Sequence, residues 1–398
     1  MDPVRNPYAP GAGQRPPELA GRDEQLAAFD VTLERVAHGR PERSVVLTGL
    51  RGVGKTVLLN ALRSAAVRAD WGTGKLEARP DQHLRRPLAS ALHMAIRERG
   101  HPQSDEVLGT VKAFAARDTG SGRMRDRWNP GIAVPATTGR ADSGDMEIDL
   151  VELLTDVGGL AADVGRGVAI FVDEMQDLRP EDVSALCAAC HELSQNRLPV
   201  VVVGAGLPHL PAVLSASKSY SERLFRYSRV DRLDREAADR ALVSPARDED
   251  VEFTPGALAE MYAATAGYPY FVQAYGKAVW DAAAGSPVTL DDVRVAAPEA
   301  EAELGVGFFG SRYERATPAE REYLRAMAET AVAEANTSEP EPDSVPTAAV
   351  AAHLDRKPQS LSPARDALLK KGLIYSGERG RIAFTVPHFG RYLRATGG

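Results

Sequence analysis

Two pairs of adjacent residues in this 398-residue chain have the type and spacing to do chemistry. The first is Lys55-Thr56, closing the run Thr48-Gly49-Leu50-Arg51-Gly52-Val53-Gly54-Lys55-Thr56. Gly49, Gly52 and Gly54 can take backbone angles closed to other residues and turn successive amides toward a phosphate chain. Lys55 would then reach β and γ phosphates, and the Thr56 hydroxyl would hold magnesium. The second pair, Asp173-Glu174, ends the apolar run Gly167-Val168-Ala169-Ile170-Phe171-Val172. Asp173 is suited to organise magnesium through water, and Glu174 to orient and activate an attacking water. Alone, two acids at a strand end could also be a solvated turn. The glycine-rich run earlier in the chain removes that reading.

The flanking sequence supplies the elements that such residues need. Val45-Val46-Leu47 reads as a buried strand, and Val57-Leu58-Leu59-Asn60-Ala61-Leu62 continues a helix begun near Lys55, whose free amides face the same negative charge. The candidate nucleotide contacts are therefore Gly49, Leu50, Arg51, Gly52, Val53, Gly54, Lys55, Thr56 and Val57. Residues 167 to 174 read as a central parallel strand, and Pro199 to Gly206 as another. The second ends in Gly204-Ala205-Gly206, so a polar side chain watching the γ phosphate is absent there, moved elsewhere, or replaced by backbone amides.

Apolar spacing predicts helices over residues 23 to 36, 84 to 97, 103 to 117 and 146 to 164, the last burying Ile148, Leu150, Leu153, Leu154 and Leu160. Short strands are expected at Leu76-Glu77-Ala78 and at Ile132-Ala133-Val134, the latter between loops spanning residues 118 to 144. The arginine-rich stretch Ser219 to Arg229 precedes Val230-Asp231-Arg232-Leu233, read as the end of the last sheet strand. Arg223 or Arg226 is placed to act on a neighbour's nucleotide, or else lies over a helix surface. Arg22, just before the first helix, faces either a nucleotide or solvent.

Four further helices, over 234 to 242, 255 to 265, 270 to 283 and 290 to 304, read as a lid, with Gly267-Tyr268-Pro269 a hinge-like turn. The C-terminal section opens at Thr317-Pro318-Ala319-Glu320, a capping pattern with proline in the first turn. An acidic linker over 336 to 346 follows, then short helices to Lys371 and two strands around Gly377-Glu378-Arg379-Gly380. Three helices and a two-stranded wing make a winged helix, which serves DNA, protein contacts or spacing. The domains expected are a flexible segment 1–18, a nucleotide-binding core 19–233, a helical lid 234–310 and a winged helix 311–398.

Hydrophobic residues make up 43% and charged residues 26%, the balance of a globular protein. No apolar run is long enough to span a bilayer and Met1 to Pro7 holds no signal region, so no membrane partner and a cytoplasmic location are expected. Cys187 and Cys190 share a helix with no second cluster, which reads as two buried, reduced thiols. The net charge of −7 is unevenly spread: from Pro346 onward nine Lys and Arg face three acids, a surplus of six that leaves −13 for the rest. A basic tail on an acidic body suits a module touching double-stranded DNA, or a basic face for a protein partner.

Over residues 17 to 395 the chain resembles the AAA+ ATPases, in particular the branch joining archaeal origin initiators, the origin recognition complex and the archaeal-type ATPases bordering on signal-transduction NTPases. Leu19-Ala20-Gly21-Arg22-Asp23-Glu24 resembles the segment that packs against adenine. The runs 49–56 and 170–174 match the two phosphate and magnesium motifs. Arg223-Leu224-Phe225 resembles the segment that carries an arginine finger, which makes Arg223 the first candidate and Arg226 the second. The lid arginine of many AAA+ proteins is replaced by Gly267-Tyr268-Pro269, similar to the signal-transduction branch, in which Pro269 would lie near the nucleotide. The resemblance implies an α/β phosphate-loop NTPase with a parallel sheet, lid and winged helix. It also implies ATP and Mg2+ as ligands, ADP as product, and slow, switch-like hydrolysis, in a chain that works alone, as a homo-oligomer or with a protein partner. Two other functions fit the same residues: an ATPase component whose winged helix touches only protein, and a nucleotide-binding structural protein with negligible turnover.

Overall fold

The computed structural model describes residues 1–11, 13–97, 103–117, 131–334, 344–376, 379–386 and 388–396. The expected loop over 118–130, most of the acidic linker and the turn at 377–378 lie outside these residues. The chain divides into two compact units. A sheet unit holds Arg22–Gly49 and Lys55–Val230; a helical unit holds Met1–Gly21, Leu50–Gly54 and Asp231–Gly398.

The sheet unit runs α1 (Asp23–Ala37), β1 (Ser44–Thr48), α2 (Lys55–Arg68), β2 (Gly72–Glu77), α3 (Arg85–Arg97), α4 (Ser104–Ala116), α5 (Met146–Val164), β3 (Val168–Asp173), α6 (Pro180–Gln195), β4 (Val200–Gly206), α7 (Leu210–Ser217), α8 (Ser221–Leu224) and β5 (Phe225–Arg229). Its five strands are parallel in the order β2-β3-β4-β1-β5. β1, β3 and β4 are buried along their whole length, which is why they are spelled as continuous apolar runs. Thr48 lies opposite Gly206 and Val172 opposite Gly204, so the ends of the three strands share one edge, where ligands of such sheets sit. α3 crosses β2 so closely that a Cβ on Gly74 would stand 2.4 Å from the Ala91 carbonyl oxygen, leaving only glycine at that position.

Local chemistry sets the helix ends. Asp145 accepts from the amides of Glu147 and Ile148 to start α5, and Gly165, at φ 70°, ends it. Leu150, Leu153, Leu154 and Leu160 are buried as expected, whereas Ile148 is 53% exposed. Ile148 stands in the first turn of α5, on the side away from the core.

Three strand expectations need correction. Residues 132–134 form no strand: Ile132 drops into the core and the carbonyls of Ile132 and Val134 accept from Lys112 Nζ at 3.2 and 2.8 Å. β2 starts at Gly72 rather than near Leu76. The last strand is Phe225–Arg229, ahead of the Val230–Leu233 run; as the outer strand it is only part-buried and tolerates its arginines and tyrosine.

In the helical unit, residues 1–11 are tied down rather than loose. Pro3–Arg5 makes a 3-10 turn, the Met1 amino group donates to the Ala283 carbonyl at 2.6 Å, and Tyr8 Oη donates to that of Leu242 at 2.6 Å. Four helices follow: α9 (Arg235–Arg247), α10 (Pro255–Thr265), α11 (Pro269–Ala282) and α12 (Leu290–Leu304). α9 runs five residues past the expected end, through Pro245. A π-helical turn over Gly305–Gly310 leads to α13 (Ser311–Glu314) and α14 (Pro318–Glu334), where Thr317 and Glu320 exchange the expected capping bonds.

The C-terminal elements are β6 (Val345–Pro346), α15 (Thr347–His353), α16 (Pro358–Lys370), β7 (Ile374–Tyr375), β8 (Arg381–Phe384) and α17 (Phe389–Ala395). The sheet here has three antiparallel strands, β6-β8-β7, where two were expected. Phe308, Phe309, Phe389 and Tyr392 pack ring against ring, joining the π-helical turn to α17. Among the described residues no helix is long and apolar enough to cross a membrane.

Candidate active site

The phosphate-loop run bridges β1 and α2. Gly52 and Gly54 have φ of 85° and 90°, angles that turn neighbouring amides in a way side-chain-bearing residues resist. Nothing lies within 4 Å of where a Cβ on Gly54 would be, so the backbone there is open to an approaching anion. In the sheet unit Lys55 is buried and its Nζ donates to the Gly49 carbonyl at 2.9 Å, while the Gly49 amide donates to the Gly206 carbonyl at 3.2 Å. Thr56 and Val57 are half-buried on the first turn of α2.

Asp173 ends β3 and is buried, and its Oδ1 accepts from the Glu174 amide at 3.0 Å. Glu174 has φ of 48° and ψ of 42°, a left-handed conformation that costs a side-chain-bearing residue about 1–3 kcal/mol. Its carboxylate is half-buried, and Oε2 accepts from Gln176 Nε2 at 2.6 Å. Gln176 Oε1 in turn accepts from the Leu207 amide, just past β4, at 3.1 Å. A hydroxyl on Thr56 and a carboxylate on Asp173 are the hard oxygen donors that magnesium takes, leaving its other positions for phosphates and water. The donor set and the open glycine backbone fit a magnesium–nucleotide complex.

In the helical unit, residues 50–54 lie beside side chains of the π-helical turn, of the segment before α11 and of the C-terminal elements. A Cβ on Gly52 would lie 3.3 Å from the Phe308 ring and 3.8 Å from Tyr268. Gly372, at φ 61°, is in contact with Arg51: a Cβ there would come 2.8 Å from Arg51 Nε. Arg312 lies 3.7 Å above the Phe308 ring, and burial together with Arg51 and Arg315 pulls its guanidinium down to about 10. The Nε atoms of Arg51 and Arg312 are buried without hydrogen-bond partners.

Comparison with known proteins bears on the first half of the chain. Residues 18–203 match the family described as AAA ATPase domain. These residues are similar to an AAA ATPase domain, and the chain is an ATPase, as the two motifs predict. Residues 306–393 match a separate family, a domain of unknown function (DUF8462). No curated protein is significantly similar in sequence. Among solved structures, the Walker-type ATPase PABY2304 of Pyrococcus abyssi is 16% identical, with 96% of this chain and 97% of that chain covered and a TM-score of 0.59, a likeness of fold. Cdc6p from Pyrobaculum aerophilum is 13% identical, with 99% and 97% covered and a TM-score of 0.47. The RuvB Holliday junction branch migration motor of Thermotoga maritima is 17% identical, with 96% and 99% covered and a TM-score of 0.44.

The remaining candidates fall in three places. Among the residues that match the AAA ATPase family, Arg22 is buried at the start of α1 rather than facing solvent. Beyond the matched residues but still in the sheet unit, Arg223 is exposed on α8, while Arg226 lies within β5 and its Nη2 donates to Ala28 O at 3.4 Å and Thr32 Oγ1 at 3.3 Å, toward α1. In the helical unit, Pro269 opens α11, and the Leu233 amide donates to the Gly267 carbonyl at 2.8 Å just before it. Cys187 and Cys190 are free and buried, with burial pushing both thiols up to about 12. Gln176 escaped the sequence reading, although it stands two residues past Glu174.

Proposed function

We propose that this ATPase is a slow switch, in which magnesium–ATP bound by Lys55, Thr56 and Asp173 sets the state of a C-terminal winged helix that binds DNA. Magnesium, when bound, neutralises phosphate charge. Lys55 holds the β and γ phosphates, Glu174 takes a proton from the attacking water, and Arg22 and Pro269 border the nucleotide. Arg223, exposed on α8, is the first candidate to complete a neighbouring copy's site, and Arg226 the second.

The observation that carries the switch is the packing inside the helical unit. Gly52, in the turn that cradles phosphate, lies beside Phe308 and Tyr268, and Arg51 lies against Gly372 of the C-terminal elements. A phosphate that reorders this turn therefore acts directly on residues that also belong to the C-terminal packing.

Calorimetry with magnesium–ATP and amide hydrogen exchange together test the reading. Wild-type protein binds ATP, and exchange changes over residues 305–315 and 368–376 on saturation. Lys55→Ala loses at least ~1.4 kcal/mol of affinity, about tenfold, and the exchange response with it. Unchanged exchange at 368–376 in ATP-saturated wild type overturns the switch while leaving the ATPase intact.

A second reading has its own support. Several tail cations are spent on internal partners: Arg356 on Glu322 at 3.0 Å, Lys371 on Glu320 at 2.6 Å and Arg391 on Glu301 at 3.3 Å. This reduces the charge left for phosphates and favours a protein partner for the same domain.

A further inference from the structure

β4 is the strand whose end lacks a polar side chain, and the reason is visible in what lies over it. A Cβ on Gly204 would stand 2.5 Å from Met175 Sδ, and a Cβ on Gly206 would stand 2.7 Å from Gln176 Oε1. The small residues of β4 thus make room for the segment that follows Asp173-Glu174 on the adjacent strand. Gln176 fills the place that a polar residue of β4 itself would otherwise occupy.

Its orientation is fixed by its neighbours. The Leu207 amide can only donate, so the carbonyl end of Gln176 faces it at 3.1 Å; the carboxylate of Glu174 can only accept, so the NH2 end faces Oε2 at 2.6 Å. One amide side chain therefore ties the carboxylate just past β3 to the backbone just past β4. With Oε2 held, Oε1 of Glu174 remains to accept a proton from water. Glu174 has a left-handed backbone conformation, and the bond from Gln176 holds its carboxylate in one direction.

We propose that Gln176 is the positioning residue for Glu174 and takes over, from the turn that follows the adjacent strand, the role that the end of β4 lacks. The proposal rests on Glu174 being the general base. Gln176 does not touch the reacting atoms; it fixes which oxygen of Glu174 meets the water and reports to it the position of Leu207.

Steady-state ATP hydrolysis by the full chain tests this with three variants. Gln176→Met keeps the volume but not the hydrogen bonds: kcat falls ~10–100-fold and KM stays within about threefold, less than the loss of the base itself. Gln176→Glu keeps the acceptor for Leu207 but sets carboxylate against carboxylate; its kcat at pH 8 falls at least as far and recovers toward pH 6, as the pair takes up a shared proton. Gly206→Ala, which pushes on Oε1 from below, lowers kcat without touching Gln176 chemically. A packing role alone would leave Gln176→Met active and give Gln176→Glu no such pH response.

Gln176→Met turning over at the wild-type rate, in a protein whose Glu174→Gln variant is dead, overturns the positioning role alone. Full turnover in Glu174→Gln overturns the general base and the proposal with it. Absence of ATP turnover in wild type overturns the ATPase. Should Gln176→Met fail to fold, the pH profile of Gln176→Glu and the kcat of Gly206→Ala decide the matter, and wild-type values in both overturn it.

Discussion

Glu174 combines a left-handed backbone, a half-buried carboxylate and a hydrogen bond from a fixed amide. Glu174→Gln keeps the shape and removes the proton acceptor, so turnover drops ~100-fold or more while ATP affinity holds within about threefold. Single-turnover hydrolysis beside calorimetry checks this, and an active variant would move the base to another acid. The places of Lys55, Thr56, Asp173 and Glu174 at element ends were legible in sequence because each follows a run whose pattern fixes its address: glycines in one case, apolar residues in the other. Gln176 was not, because its role is created by Gly206 and Leu207, some thirty positions away and adjacent only after β3 and β4 pair in parallel. A missing side chain at one strand end is readable; which neighbour replaces it is a tertiary fact.

Long, strongly periodic helices and fully buried strands were read correctly from pattern, as α5 and β4 show. The failures share a cause. β5 is an edge strand whose residues are only partly covered, so arginine and tyrosine fit there and the apolar criterion slid to the next run. Ile132 and Val134 are apolar for the opposite reason: they pack against helices, with their carbonyls taken by Lys112 instead of a strand. Polar burial at this scale was equally hidden. Asp149 on α5 is fully buried and accepts from Arg85 Nη2 at 2.8 Å, from the Ser143 amide and hydroxyl at 2.8 and 2.6 Å, and from the Gly144 amide at 3.1 Å. Burial pushes its pKa up, but the bonds from Ser143, Arg85 and Gly144 outweigh it and hold the carboxyl below its ordinary value. A depressed folded-state pKa means that this contribution is complete above the ordinary aspartate range and is lost as pH falls through the folded value. Asp149→Ala should cost about 3–5 kcal/mol in urea denaturation at pH 7, because it strands the buried Arg85, and the loss should shrink in acid. A variant within 1 kcal/mol of wild type at neutral pH would show that the pair is not a determinant of stability.

At the scale of the whole molecule, the opposing charges of tail and body set the remaining question. The basic surplus after Pro346 is smaller than its count, since Arg356, Lys371 and Arg391 face acids; Arg381 keeps its charge but is tied to Ser344. Lys357, Lys370 and Arg379 are exposed, and they flank α16 and the strands that follow it. If α16 enters a major groove, Gln359, Ser360 and Arg365 face base edges, although Arg365 must leave Asp366, and the three exposed cations meet phosphates. Pro363 in α16 offers no amide to a phosphate, and the acidic remainder repels DNA at long range, so the affinity gained is electrostatic and local. Fluorescence anisotropy of the full chain on duplex DNA, with and without ATP, should show affinity falling steeply as salt rises from about 50 to 200 mM. Replacing Lys357, Lys370 and Arg379 together by Ala should flatten the salt slope by about three, one for each lost phosphate contact, with hydrolysis unaltered. A wild-type chain that ignores even random duplex at about 50 mM salt would hand this surface to a protein partner, whose acidic face the same three cations would meet.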